Sequence, residues 1–110
     1  MRFPKSFRLL NSKEYDHVFQ QPQKIIRPLA TLYVRANVLG HARLGLLISK
    51  REVKRAVARN RIKRLVRESF RHHHAQLNAI DIIFVGRKAL QKVDNKRIFE
   101  WLDTEWKTLS

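Results

Sequence analysis

The chain has 110 residues, 44% of them hydrophobic, which is enough for one globular domain and too few for two with separate cores. Its 24 Lys and Arg against 9 Asp and Glu give a formal net charge of +15, a self-repulsion that a polyanion would relieve, so nucleic acid is the first partner class it points to. The absence of cysteine excludes disulfides, thiolate nucleophiles and cysteine-ligated zinc, and there is neither an apolar run of roughly 18 residues nor a glycine-rich phosphate loop.

The first residues, Met-Arg-Phe-Pro-Lys-Ser-Phe-Arg, lack the apolar run of a signal peptide, so a cytoplasmic protein is expected. Asn11 to Gln20 reads as a short helix, capped by Asn11 or Ser12, with Tyr15, Val18 and Phe19 on one face and Pro22 ending it. One further short strand fits around Gln23 to Arg27. From Ala30 to Val38, Leu32, Val34, Ala36 and Val38 alternate with Thr31, Tyr33, Arg35 and Asn37, the pattern of a half-buried strand. Tyr33 should therefore stand on the face opposite Leu32 and Val34. Leu39-Gly40-His41-Ala42 reads as a turn and Arg43 to Ser49 as a returning strand, which predicts a hairpin.

A long basic helix follows between Val53 and His74. Ala58, Ile62, Leu65, Val66, Ser69 and Phe70 fill one arc of its wheel, while Asn60, Arg61, Lys63, Arg64, Arg67 and Arg71 occupy much of the rest. Ile80 to Val85 is an apolar strand ending at Gly86. Asp94 or Asn95 then caps a closing helix through Leu109, with Ile98, Leu102, Trp106 and Leu109 at helical spacing. The order is helix, strand, strand, helix, strand, helix: an α+β fold with a small sheet covered by helices, over residues 1–110 as a single domain.

Function concentrates between Lys50 and Arg71. The cations Lys50, Arg51, Lys54, Arg55, Arg59, Arg61, Lys63, Arg64, Arg67 and Arg71 face only Glu52 and Glu68. A solvated helix face usually alternates sign and gains i,i+4 pairs; this one does not, so phosphates opposite it are the natural balance. Arginine also grips phosphate oxygens two-pronged, which lysine does not. Asn60 between two arginines has the chemistry to bond a phosphate or sugar, or to serve a local structural bond.

The stretch Ala58-Arg59-Asn60-Arg61-Ile62-Lys63-Arg64-Leu65-Val66-Arg67-Glu68-Ser69-Phe70-Arg71 resembles the signature helix of the bacterial ribonuclease P protein family. Arg43-Leu-Gly-Leu and Ser49-Lys50-Arg51 before it, Asp81-Ile-Ile-Phe-Val after it and Tyr15-Asp16-His17-Val18-Phe19 upstream agree in order. The chain departs from the family's pattern at Lys54-Arg55, where many members carry a glycine, at Gln21-Pro22-Gln23, and in pairing Tyr15 rather than a phenylalanine with Phe19. The resemblance implies a two-layer α/β sandwich with a left-handed crossover around the basic helix. It implies that a large RNA, using magnesium, is the catalyst that removes the 5′ leader of precursor tRNA, one protein serving each catalytic RNA. The protein itself would bind that RNA through Lys50, Arg51, Arg59, Asn60, Arg61, Lys63, Arg64, Arg67 and Arg71. It would hold the leader in a cleft at Tyr15, Phe19 and Tyr33, and carry neither catalytic residues nor a metal.

The residues suit those roles independently, since single-stranded RNA binding wants aromatic platforms beside a basic groove. Phe19 is equally suited to core packing. The nine acids are scattered rather than clustered as a two-metal nuclease needs, and Asp81 is expected to cap or to pair with a basic neighbour. His72, His73 and His74 are consecutive, point 100° apart on a helix and share no metal, so a frayed helix end is expected there; His17 and His41 have no partner at ligand spacing. Two other classes stay open on composition: an RNA-scaffold protein without a part in cleavage, and a DNA-binding regulator, which the low side-chain variety of the basic face disfavours.

Overall fold

The computed structural model describes residues 4–109; residues 1–3 and 110, and with them the start of the N-terminal stretch read above, lie outside it. Three helices, α1 (Ser12–Gln20), α2 (Ala56–His73) and α3 (Asn95–Thr108), surround four strands, β1 (Gln23–Ile26), β2 (Ala30–Ala36), β3 (Arg43–Leu47) and β4 (Ile80–Gly86). Asn11 caps α1 by accepting the Glu14 N–H, and Asp94 caps α3 by accepting the Arg97 N–H. Both are short polar residues placed where a helix leaves N–H groups unpaired.

The sheet order is β1-β2-β4-β3, with β1–β2 and β2–β4 antiparallel and β3–β4 parallel. The expected hairpin between β2 and β3 is therefore wrong, because β4 lies between them. The cause is in β4 itself. Ile82 and Phe84 point to one face and Ile83 to the other, and all three are fully buried, so this strand needs neighbours on both sides. The 37–42 connection instead crosses the start of β4: Ala36 faces Ile80 and Arg43 faces Asp81. Asn37 holds the crossing by donating to Asp81 Oδ1 (2.9 Å) and to the His41 carbonyl (3.0 Å), and Gly40 supplies the one positive φ among the described residues (82°). Val38, expected on the buried side of the strand, lies in this connection and is fully exposed.

One face of the sheet carries Leu32, Val34, Ile82, Phe84 and Leu44. It packs on Ile62, Leu65, Val66 and Phe70 of α2 and on Ile98, Leu102 and Trp106 of α3. The arc read from the sequence of α2 is the arc that is buried. Trp106 donates its indole N–H to Ser69 Oγ at 2.8 Å and meets Phe70 edge-on at 5.7 Å, so the indole N–H is paired within the core. The opposite face is smaller: Leu9, Val18 and Ile83 are buried, with Tyr15, Tyr33 and Val85 half-covered around them.

The helix end expected to fray is ordered. His73 Nδ1 bonds the Ser69 carbonyl at 2.9 Å, and His74, in a short 3₁₀ turn, bonds the Ala42 carbonyl at 3.0 Å while stacking on Phe7 at 3.5 Å between ring centroids. These rings fill the gap between the chain's first turn and the end of α2, which periodicity within the helix does not register.

Candidate nucleic-acid interface

The phase of β2 sets the site. Pairing places Lys24, Tyr33, Ile83 and Gly45 in one row across the sheet and Arg35, Asp81 and Arg43 in the next, all on the face that α1 covers. Tyr33 thus stands opposite Leu32 and Val34, as the alternation requires. Phe19 of α1 meets the Tyr33 ring edge-on at 4.9 Å, and Lys24 Nζ sits 5.7 Å from the centroid of that ring. Phe19 is 39% exposed, so its ring stands at the surface rather than in the core. Tyr15, like Tyr33, is half-buried. Its hydroxyl accepts the Leu46 N–H at 3.2 Å, and its ring lies so close to Gly45 that a Cβ there would come within 2.7 Å. Glycine in the Arg-Leu-Gly-Leu strand is therefore what lets α1 approach the sheet.

An ion network fastens the other end of α1. Arg43 donates through Nε and Nη2 to both oxygens of Asp81 (2.9 and 2.8 Å) and through Nη1 to Glu14 (2.6 Å). Glu14 also accepts the Leu10 N–H (2.6 Å), and that bond, then Arg43, holds its carboxyl below the usual range. Asp81 raises the Arg43 pKa further still, so the guanidinium stays charged. Asp81 is thus the expected partner of a basic residue, one strand away. Arg35 adds a bond to the His17 carbonyl at 2.6 Å. Sequence reading missed Arg43, Glu14, Arg35 and Lys24 as cleft residues, because their pairing depends on which strands become neighbours.

The basic residues fall into two groups. Some are committed within the fold. Arg59 donates to the Val53 and Lys54 carbonyls (2.8 and 2.9 Å) and so closes the lead-in to α2. Arg61 donates to Asn95 Oδ1 (2.5 Å), linking α2 to α3, and Arg71 pairs with Glu68 (2.5 Å), lowering the Glu68 pKa. The others are available. Lys50, Arg51, Asn60 and Arg64 are exposed, Lys63 and Arg67 are half-buried, and none of these six has a side-chain partner among the described residues. Asn60, Lys63, Arg64, Arg67 and Arg71 occupy the arc away from the core, and Arg67 borders Tyr15. The basic helix face and the aromatic cleft are contiguous at that point. Among the described residues no three His, Asp or Glu gather as metal ligands, and no helix is long and apolar enough to cross a membrane.

An α+β domain that presents an arginine-rich helix face beside an aromatic cleft belongs to the class of nucleic-acid-binding proteins. The family model described as Ribonuclease P matches residues 3–110. The ribonuclease P protein component of Proteus mirabilis strain HI4320 is 48% identical over 107 residues, 97% of this chain and 90% of the relative, and that of Photorhabdus laumondii is 46% identical with the same coverage. Among solved structures, the Staphylococcus aureus RNase P protein superposes with a TM-score of 0.84 at 28% identity, covering 91% of this chain and 92% of that one. The Thermotoga maritima RNase P protein gives 0.82 at 26%, covering 94% and 97%. The chain belongs to the ribonuclease P protein family, as a tRNA-processing subunit of that endoribonuclease with an RNA partner.

Proposed function

We propose that this single domain, residues 1–110, docks on the catalytic RNA of ribonuclease P through α2 and its lead-in, and holds the 5′ leader of precursor tRNA in the cleft under α1. The observation that carries this reading is the continuity between a helix face rich in cations, with Glu68 paired to Arg71 as its acid on α2, and the aromatic surface under α1. Arg64, Asn60, Lys63, Arg67, Lys50 and Arg51 are free to bond phosphates and sugars, while Arg59, Arg61 and Arg71 hold the face in shape and add charge to it. Phe19 and Tyr33 offer edges and faces to unpaired bases, with Tyr15 over Gly45 farther along the same face.

Asp81 and Glu14 are bound to Arg43, Glu105 to Arg27 and Glu68 to Arg71, so these four carboxylates are engaged by arginine rather than grouped for a magnesium pair. We place cleavage and its magnesium on the RNA, one protein per catalytic RNA, acting in the cytoplasm. The test adds RNA-free protein to the catalytic RNA at low magnesium and assays precursor-tRNA cleavage. Restored cleavage supports the reading. Cleavage at the mature 5′ end by protein and magnesium alone would overturn the assignment of chemistry to the RNA.

A further inference from the structure

Residues 8–9 run beside the free edge of β3. The Leu9 N–H donates to the Leu44 carbonyl at 3.0 Å, and Arg8 forms an isolated parallel bridge with Leu44. That pairing fixes the start of the Arg8 side chain where α1, β3 and α2 converge. There Arg8, Leu10, Tyr15, Leu46 and Arg67 line a concavity of about 210 Å³. Three separate elements contribute its polar groups, so it is set by the tertiary fold and not by one helix.

Its hydrogen-bonding account is incomplete on the donor side. The Nε of Arg8 is buried and meets no acceptor among the described residues, and a buried donor left in that state costs stability until an acceptor reaches it. Neither Arg8 nor Arg67 has an ion pair among the described residues. Of the two carboxylates that flank Tyr15 in sequence, Glu14 is occupied by Arg43 and the Leu10 N–H, and Asp16 is exposed and does not line the concavity. The Tyr15 oxygen accepts from Leu46, which leaves its own proton to donate. Two arginines and a phenol therefore line one concavity with apolar walls from Leu10 and Leu46, and no carboxylate of the described residues lines it. Such donors favour a small tetrahedral oxyanion, and the lowered dielectric of the walls strengthens each charge-assisted bond.

We propose that this concavity holds one phosphodiester of an RNA strand where the aromatic cleft passes into the basic face of α2, with Arg8, Arg67 and the Tyr15 hydroxyl donating to its non-bridging oxygens. The proposal rests on the RNA-binding reading and adds to it a defined subsite and a residue, Arg8, outside the basic helix. The phosphate comes from the catalytic RNA or from the leader, and both present the same oxygens.

Inorganic phosphate is the first probe. Titrated into the free, isotope-labelled protein, it should give saturable shifts at the Arg8 Nε–H, the Tyr15 ring and the Arg67 guanidinium. Arg8→Gln should remove the Tyr15 and Arg67 shifts. Arg8→Lys, which keeps the charge but not the Nε–H, should weaken them, and a melting curve confirms that each variant is folded. Non-saturating shifts of equal size at Arg8, Arg64 and Arg67 would overturn the proposal. The second arm measures the salt dependence of binding. Arg8→Gln should flatten the log-affinity against log-salt slope by about one unit or less, in catalytic-RNA binding if that strand supplies the phosphate, or in precursor but not mature tRNA binding if the leader does. Unchanged slopes in both, in a folded variant, would also overturn it. Arg64→Gln separates the two readings: if it too leaves every slope unchanged, RNA binding by α2 fails, whereas a flattened slope there with none for Arg8 removes the subsite alone.

Discussion

On one face of the sheet Leu32, Ile82 and Phe84 are sealed beneath α2 and α3; on the other, Tyr33, Ile83 and Val85 are covered by the nine-residue α1 and Leu9 before it. The first face has its indole N–H paired and its aromatic rings nested. The second leaves Phe19, Ile26 and Leu47 at 39, 68 and 41% exposure, and it is fixed by charged bonds at one end and by a Tyr–Gly contact in the middle. Both faces share the same strands, so the difference lies in what covers them. One side contributes stability through apolar burial, and the other gives some of it up to keep an apolar, aromatic surface open to a partner.

The largest effect that tests this contrast lies on the sealed face. Phe70 is fully buried between α2 and Trp106. Phe70→Ala should cost about 3–5 kcal/mol and lower the Tm by roughly 15 °C or more, whereas Phe19→Ala should stay within about 1 kcal/mol. Thermal melts of the two variants decide it. A Phe19 loss as large as that of Phe70 would make the cleft a second core.

Next in size is the network that ties α1 to the sheet. Asp81 is 2% exposed and holds Arg43 by two bonds. Removing it in Asp81→Ala leaves a half-buried guanidinium with Glu14 alone and should cost about 3 kcal/mol. Because Arg43 also holds Glu14, α1 should loosen, and precursor tRNA binding should suffer more than mature tRNA binding. Equal losses on the two substrates would show that α1 keeps its place without this network.

How much of this was legible beforehand follows from how local each signal is. The α2 face was readable because Ile62, Leu65, Val66, Ser69 and Phe70 recur within one helix, and the side of Tyr33 was readable because strand alternation is a two-residue rule. The β2–β3 neighbourhood was not. It depends on β4, more than 30 residues on in the chain, competing for the central place. The commitments of Arg59 and Arg61 were equally hidden, since the sequence shows ten cations of one sign while the fold turns some toward carbonyls and Asn95. Arg8 gave no signal at all, for its setting is made by three elements at once.

Inside the open face, Tyr33 gives a smaller and more selective effect. Its ring packs against Phe19 on one edge and carries Lys24 nearby. Stacking on a leader base should make Tyr33→Ala cost about 1–3 kcal/mol in precursor tRNA binding by the holoenzyme, with little change for mature tRNA. Tyr33→Phe should keep most of the affinity, because stacking uses the ring. Parallel losses on both substrates with a lowered Tm would return Tyr33 to the packing of the small cluster around Ile83.

The smallest effect is a pH dependence at the joint between the two faces. His74 follows α2, stacks on Phe7 of the first turn, lies 5.9 Å from the His41 ring and bonds the Ala42 carbonyl. Burial, and then the charge of His41, push its pKa below the ordinary 6.5, against the opposing pull of that carbonyl. Below pH 6.5 the folded state therefore binds fewer protons here than the unfolded chain, so stability should fall as pH drops from 6.5 through the depressed pKa and then level off. Above 6.5 His74 contributes no slope. Glu14 and Glu68 act in a separate window: their folded pKa values lie below 4.5, and the stability they add is lost only as pH falls further, through those values. Urea titrations of the wild type and His74→Gln in small pH steps should show the upper slope in the first and not in the second. Hydrogen exchange should locate it, with the Phe7 amide, bonded to Pro4, quickening on acidification before the amides of β4 do. Coincident slopes in the two proteins would assign the upper window to another group. Equal quickening at Phe7 and β4 would show that the first turn and the sealed core open as one unit.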